Sequence, residues 1–355
     1  MIKAAIVGLG WWGKTLVEAS EGSDEIRIVA GATRTVTPEI EAFAKQKNFR
    51  LLPSYEAVLA DPDAGAVILT TPHSLHAVQV IAAAKAGKHV FCEKPFTLTK
   101  KEAEEAIAAV RKAGVTLGLG YNRRFHPEMA KLREQVRSGE LGTILHIEAT
   151  MTFPNALALT PKHWRAHRDE TPCGGLTPMG VHAVDGMIDL CGEIDHVFCQ
   201  SVRRAVTIDS DDTTSILFKM KDGMTGYLGT MTATGPGFSF QVFGSKGWVR
   251  LEGVTHVAGA SSEERRTRLF GTCKFQPVKG EARVWQAATL DVPRAALEAF
   301  AKAVSGGPAF PISFEQMIHG SSVTEAIVKS AASGKVEKVA AGGPNLRNAF
   351  MSLIS

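Results

Sequence analysis

Residues 2–13 read IKAAIVGLGWWG, and this stretch decides the architecture of the first third of the chain. The apolar run IKAAIV has the character of a buried strand. The GxGxxG that closes the stretch precedes a helical pattern at 11–20. In that setting the first glycine permits a tight turn, the second lets backbone approach a pyrophosphate, and the third lets helix and strand pack closely. The free amides at the helix start favour an anion. A dinucleotide-binding loop made of Gly8, Gly10, Trp11, Trp12 and Gly13 is therefore expected.

Working outward, further apolar runs at 26–31, 65–70, 88–92 and 115–119 alternate with helical patterns at 38–47, 74–86 and 99–113. Repeated β-α-β units with helices of this length imply an α/β, doubly wound parallel sheet of the Rossmann kind over residues 1–121. The pattern changes after Tyr121. Segments such as ILHIEATMTF, TTSILFKM and FSFQVFGSKGWVRLEG alternate apolar and polar residues, with turn signals KDG at 221–223 and GSKG at 244–247. This predicts a second, α+β domain over 122–355 with an antiparallel or mixed open sheet, one face of it in solvent or covered by a partner. Helical patterns are expected near 126–138, 178–190, 293–305 and 313–333.

Composition excludes several classes. Of 355 residues, 45% are apolar and 21% charged, with a formal charge of +4. Low hydrophobicity and high net charge, the marks of disorder, are both missing. The scattered positive excess does not argue for nucleic acid, but it suits an anionic cofactor or substrate. Its densest cluster, Arg265, Arg266 and Arg268 after Glu263 and Glu264, reads as a solvated loop. No apolar stretch reaches the roughly 18 residues of a membrane span, and the N-terminus lacks the order of a signal peptide. Five cysteines with no CxxC pair argue against a disulfide framework or zinc site. They suggest the reducing cytoplasm. No metal constellation is expected.

The second strand bears on which dinucleotide binds. It ends Gly31-Ala32-Thr33-Arg34, without the acidic residue that usually holds the ribose hydroxyls of NAD. Arg34 can pair with a 2′-phosphate and Thr33 can add a hydrogen bond, so NADP is favoured, with NAD as the alternative. The fifth apolar run ends in Glu93-Lys94-Pro95, which puts Lys94 on the sheet edge where such folds bind ligands. Thr177-Pro178 looks like a helix start, which places His182 and Asp185 one turn apart on the same face. Asp185 is a candidate to orient the His182 ring.

GLGWWG at 8–13, TPHSLH at 71–76, AGKHVFCEKP at 86–95, GYNRRFHP at 120–127 and the series WR…GG…GxH…D at 164–185 occur in that order. Together they resemble the glucose–fructose oxidoreductase / inositol dehydrogenase / rhizopine-catabolism (Gfo/Idh/MocA) family over nearly the whole chain. The resemblance implies a Rossmann domain followed by a domain with an open, mostly antiparallel sheet. It also implies that Lys94 and His182 stand beside the nicotinamide and the substrate, the histidine as acid/base and the lysine stabilising the oxygen. Thr71, Pro72, His73 and His76 would line the cofactor cleft. Glu93 and Asn122 would lie near the nicotinamide ribose or amide, and Arg165 would reach cofactor or substrate. The Lys94–Pro95 bond would be cis.

One departure stands out. Where the family commonly has an aspartate four residues before the histidine, this chain has Pro178. Asp185, His163, His167 and Arg168 are candidates to replace it, with His163 a possible substrate contact beside Arg165, Lys94 and His182. The function implied is hydride transfer between NADP and a carbinol or carbonyl carbon of a sugar, polyol or cyclic or aromatic diol. Two rival readings are a non-catalytic NADP(H)-binding sensor or partner module, and a C=C or C=N reductase. A small-molecule substrate and a homodimer or homotetramer are expected, the latter to cover the second domain's open sheet face.

Overall fold

A computed structural model describes residues 1–253 and 260–341. The first layer is a six-stranded parallel sheet in the order β3-β2-β1-β4-β5-β6. Its strands are β1 (Ile2–Val7), β2 (Ile26–Ala32), β3 (Arg50–Leu51), β4 (Ala66–Leu69), β5 (His89–Cys92) and β6 (Leu117–Leu119). Five of the six fall where apolar runs predict them, within about two residues. Strand β3 and a short helix, α3 (Tyr55–Ala60), occupy a stretch whose pattern predicts no element.

Alternation along the strands sorts side chains to two covered faces. On one, Ile6, Ile28, Ile68 and Phe91 pack under α1 (Trp11–Ser20) and α2 (Pro38–Gln46). On the other, Val7, Val67, Leu69 and Val90 pack under α3, α4 (His76–Lys85) and α5 (Lys100–Ala113). Helix α5 is bounded as its sequence suggests, by a Thr99–Glu102 capping box and a left-handed Gly114. A helix from far along the chain, α9 (Val292–Val304), returns to this layer and drives Leu297 and Phe300 into the first face. The first sheet is thus closed by chain that lies beyond the second.

The second sheet has nine strands among the described residues, in the order β14-β13-β12-β11-β7-β10-β9-β8-β15. They are β7 (Ile144–Thr152), β8 (Ile194–Val202), β9 (Thr213–Met220), β10 (Thr225–Met231), β11 (Gly237–Gly244), β12 (Gly247–Gly253), β13 (Thr272–Pro277), β14 (Arg283–Gln286) and β15 (Glu337–Lys338). Pairing is antiparallel except between β7 and β10, so the sheet is mixed and mostly antiparallel. KDG and GSKG make the β9–β10 and β11–β12 turns, as predicted. One face packs against α6 (Pro127–Arg137), α7 (Val181–Cys191) and α10 (Phe314–Ser333). The other face is open. In β9, Ile216 and Phe218 are buried while Leu217 is 54% exposed. A six-residue helix, α8 (Ser262–Thr267), completes the description. No helix among the described residues is long and apolar enough to cross a membrane.

Candidate active site

The loop after β1 takes the shape its glycines require. Gly8 has φ +98°, and a Cβ there would lie 2.7 Å from the Thr70 carbonyl oxygen, while one on Gly13 would lie 2.0 Å from the carbonyl of Gly8. Neither position admits a side chain. A Cβ on Gly10 would meet no protein atom within 4 Å, which leaves room for a ligand to approach the backbone. Helix α1 starts at Trp11 with no side-chain cap, so its first amides are unclaimed by a capping side chain. The loop therefore fits a pyrophosphate on the terms set by the sequence.

A cleft of about 700 Å³ opens between the two layers. Of the residues singled out from sequence, Trp11, Trp12, Thr71, His73, Glu93, Lys94, Asn122, Arg165 and His182 line it. Lys94 arrives from the end of β5 through a cis Lys94–Pro95 bond, as the resemblance implies. His182 arrives from the first turn of α7, buried and edge-on to the Tyr121 ring at 5.9 Å between centroids. The two groups come from different lobes and enter one cavity.

The Lys94 ammonium donates to the Pro178 carbonyl oxygen at 2.6 Å. The backbone of Pro178, at the family's usual aspartate position, thus provides an acceptor that its side chain cannot. The helix start expected at Thr177-Pro178 does not form. Both residues lie inside a π-turn, Leu176–Gly180, where the Gly175 carbonyl accepts from Gly180 N–H at 3.0 Å. The Thr177 hydroxyl is buried without a hydrogen-bond partner and does not cap the helix. Such one-turn widenings recur at functional sites.

Burial pushes the pKa of Lys94 down to about 8; the adjacent Glu93 carboxylate opposes this, while Arg165 and Arg123 add to it. Burial in turn raises the carboxyl of Glu93, against the pull of Lys94. Glu93 fits because Gly120 faces it, where a Cβ would stand 2.5 Å from the carboxylate. Among the described residues, no group of three or more His, Cys, Asp or Glu side chains could hold a metal ion.

Other sequence-derived candidates lie elsewhere. Gly8, Gly10 and Gly13 form the loop behind the lining. Thr33 and exposed Arg34 follow the end of β2, outside the lined cavity. Pro72 precedes a short turn at His73–Leu75. His76 is fully buried and acts as a strut, with Nδ1 2.7 Å from the Pro95 carbonyl and Nε2 3.0 Å from that of Thr71. His163 is exposed, caps the short turn Trp164–Ala166 by accepting from Arg165 N–H at 3.1 Å, and is outside the lining. Arg168 pairs with Asp211 at 3.0 Å, and His167 is exposed.

The expectation that Asp185 orients His182 needs correction. Both Asp185 oxygens accept from Arg124, at 2.7 and 2.8 Å, and the same arginine reaches Asp189 at 3.2 Å. A buried carboxylate takes the partner that satisfies both oxygens, and the guanidinium fork does so. Asp185 therefore fastens α7 to the segment after β6, and its pKa still rises to about 6 because burial outweighs Arg124. The arginine cluster at 265–268 is also not a solvated loop. It forms α8 on the cleft rim. Arg266 pairs with Asp291 at 2.8 Å and Glu18 at 3.4 Å, and Arg265 lies 5.8 Å over the Trp11 ring. Its counter-charges come from α1 and the cap of α9, which a local reading does not see.

Sequence reasoning missed Arg123, Trp164, Phe153 and Met179 as lining residues. Arg123 stood inside the quoted GYNRRFHP motif. Trp164 likewise opened the quoted WR…GG…GxH…D series, whereas Phe153 and Met179 carry no local signal. The second lobe is held to the first by His73, whose Nδ1 lies 2.7 Å from the Glu170 carbonyl, and by Ser74, which donates its backbone N–H to the Glu170 carboxylate at 3.2 Å.

Sequence profiles agree with this geometry. The oxidoreductase family GFO_IDH_MocA, NAD-binding Rossmann fold, matches residues 2–121, and the GFO/IDH/MocA C-terminal domain matches 129–250. The chain belongs to the Gfo/Idh/MocA oxidoreductase family. This family member is 30% identical over 257 residues to the uncharacterised oxidoreductase YrbE of Bacillus subtilis, covering 69% of this chain and 72% of that one. It is 30% identical over 230 residues to the myo-inositol 2-dehydrogenase of Thermotoga maritima, covering 59% and 63%. Among solved structures, a Desulfitobacterium hafniense protein provisionally named an NADPH-dependent oxidoreductase superposes with a TM-score of 0.86 at 26% identity, over 95% of this chain and 97% of that one. The first layer is accordingly an NAD(P)-binding Rossmann fold.

Proposed function

We propose that this oxidoreductase transfers hydride between NADP and the carbinol or carbonyl carbon of a sugar, polyol or cyclic diol. The observation that carries this reading is the entry of Lys94 and His182, from opposite lobes, into the cleft beside the glycine loop. Bound NADP supplies the hydride acceptor or donor at its nicotinamide C4. In oxidation, the substrate C–H gives up hydride, its O–H gives its proton to the His182 imidazole, and a C=O remains. Lys94, whose ammonium donates to the Pro178 carbonyl, would donate a hydrogen bond to the substrate oxygen as its charge changes. A histidine suits proton transfer near neutral pH. Glu93 and Asn122 shape the nicotinamide end, and Thr71 and His73 the wall behind it. Kinship with a myo-inositol 2-dehydrogenase supports a polyhydroxylated substrate.

The preference for NADP rests on Arg34, exposed after β2 and free of any neighbouring acid in the sequence. Comparing kcat/KM for NADP and NAD checks it, and a clear NAD preference overturns it. The reaction itself is tested by following absorbance of the reduced nicotinamide with a panel of polyols, sugars and their ketones. Tight NADPH binding with no turnover across the panel would sink the proposal in favour of a nucleotide-binding sensor. We further propose a homodimer or homotetramer formed on the open sheet face, which a monomeric mass by light scattering at micromolar concentration would contradict.

A further inference from the structure

Arg123 has a role still unassigned. It follows β6 and is 7% exposed, with its guanidinium carbon 4.4 Å from the centroid of Phe238 on β11. Its Nη1 is buried and has no hydrogen-bond partner, and burial alone moves its pKa, to about 9, with no carboxylate contributing. The next residue, Arg124, is buried to a similar degree but saturated by Asp185 and Asp189. A buried guanidinium without a carboxylate partner is costly.

Arg123 is among the residues lining the cleft that holds Lys94 and His182. It lies close enough to Lys94 for its charge to be felt there. The lining carries five cationic side chains, Lys94, Arg123, Arg165, Arg265 and Arg268, against two carboxylates, Glu93 and Glu264. Arg265 stacks on Trp11 beside the loop that fits cofactor phosphates. Arg123 instead packs on Phe238 of the second lobe's sheet and lines the same cleft as Lys94 and His182. That wall offers Pro178 and Met179, and neither repels an anion.

We propose that the substrate bears a carboxylate, received by Arg123, and is a sugar acid or similar hydroxy-acid rather than a neutral polyol. The proposal rests on the reading of Lys94 and His182 as the hydride-transfer site and narrows its substrate class. The planar guanidinium suits a carboxylate bidentately, and Phe238 holds its plane from behind.

The test pairs neutral compounds with their acids: glucose with glucuronate and gluconate, galactose with galacturonate, and sorbitol. Two readouts are taken on the NADP-loaded protein: ligand-induced thermal stabilisation and nicotinamide reduction. Acids are expected to stabilise the holoprotein more than their neutral partners. Arg123→Gln should cut the acid-to-neutral ratio of apparent affinity roughly 10–100-fold, the worth of a hydrogen-bonded charge. Arg123→Lys should restore part of it, which separates charge recognition from a folding defect. Stabilisation by the neutral compounds only, by none of the acids, or equally by both overturns the proposal, as does an unchanged ratio in a folded Arg123→Gln protein. Acid binding that depends on Arg123 without any nicotinamide reduction upholds the anion site and instead overturns hydride transfer. Binding of inorganic phosphate in preference to every carboxylate also counts against it.

Discussion

On the Rossmann wall of the cleft, the working groups stand at the carboxyl ends of β1, β4, β5 and β6, strands that are neighbours in one parallel sheet. On the facing wall they come from a short turn at Trp164–Ala166, a π-turn at Leu176–Gly180, the start of α7 and the rim helix α8. The first wall is positioned by topology, since a doubly wound sheet gathers its strand ends on one edge. No regular lattice aligns the second. It is fixed by the buried Arg124–Asp185 pair, by the half-buried Arg133–Asp189 pair, and by the Glu170 contacts across the cleft. A wall of the first kind keeps its shape through the sheet, whereas a wall of the second kind depends above all on its buried Arg124–Asp185 pair.

The largest expected effect falls where the two walls meet. Lys94→Ala and His182→Ala should each lower kcat by on the order of 10²–10⁴, as for a lost acid/base, while NADP binding by fluorescence titration stays within a few fold. Near-wild-type turnover in either variant would remove that residue from the chemistry. Next comes the fastening of the second wall. Asp185→Ala leaves buried Arg124 with only Asp189 as a counter-charge, beside a bond to Gln316, and should cost about 3–5 kcal/mol in urea unfolding. If Asp185 instead worked on His182, kcat per folded molecule would fall with little loss of stability.

A smaller effect concerns pH. Carbonyl reduction needs Lys94 as an ammonium, and burial brings its pKa to about 8. For reduction, kcat/KM should therefore decline as pH rises through that value. The part of the decline near pH 8 should vanish in Lys94→Arg, while the fall set by deprotonation of the His182 acid remains. A flat profile to pH 9.5 in the wild type would contradict the protonated role. The smallest effect is at the crossing contact: Glu170→Ala should raise KM a few fold with kcat nearly kept, because the His73 contact is to backbone and survives. An equal fall in kcat would mean that this contact also aligns the reacting groups.

Much of the first wall was legible in the sequence. Glycine spacing, apolar runs and the EKP segment are local features, and each fixes its own neighbourhood. The second wall was legible only in outline. His182 could be placed on a helix, but its π-turn entry could not, because Thr-Pro is an equally good start for an ordinary helix. Asp185 was misread for the same reason. Spacing along a helix shows what shares a face, whereas Arg124, far away in sequence, had the stronger claim on both oxygens.

By itself the sequence determined the parallel sheet, the nucleotide loop, the alternation of the second sheet and the presence of Lys94 and His182, since all of these follow from residue spacing over one or two elements. Only the tertiary structure decided that α9 closes the first sheet, that α8 brings arginines to the cleft rim, and that Arg124 is paired while Arg123 is not. Those outcomes depend on which charges and apolar faces come together across long stretches of chain, and burial then makes each pairing, or its lack, energetically decisive.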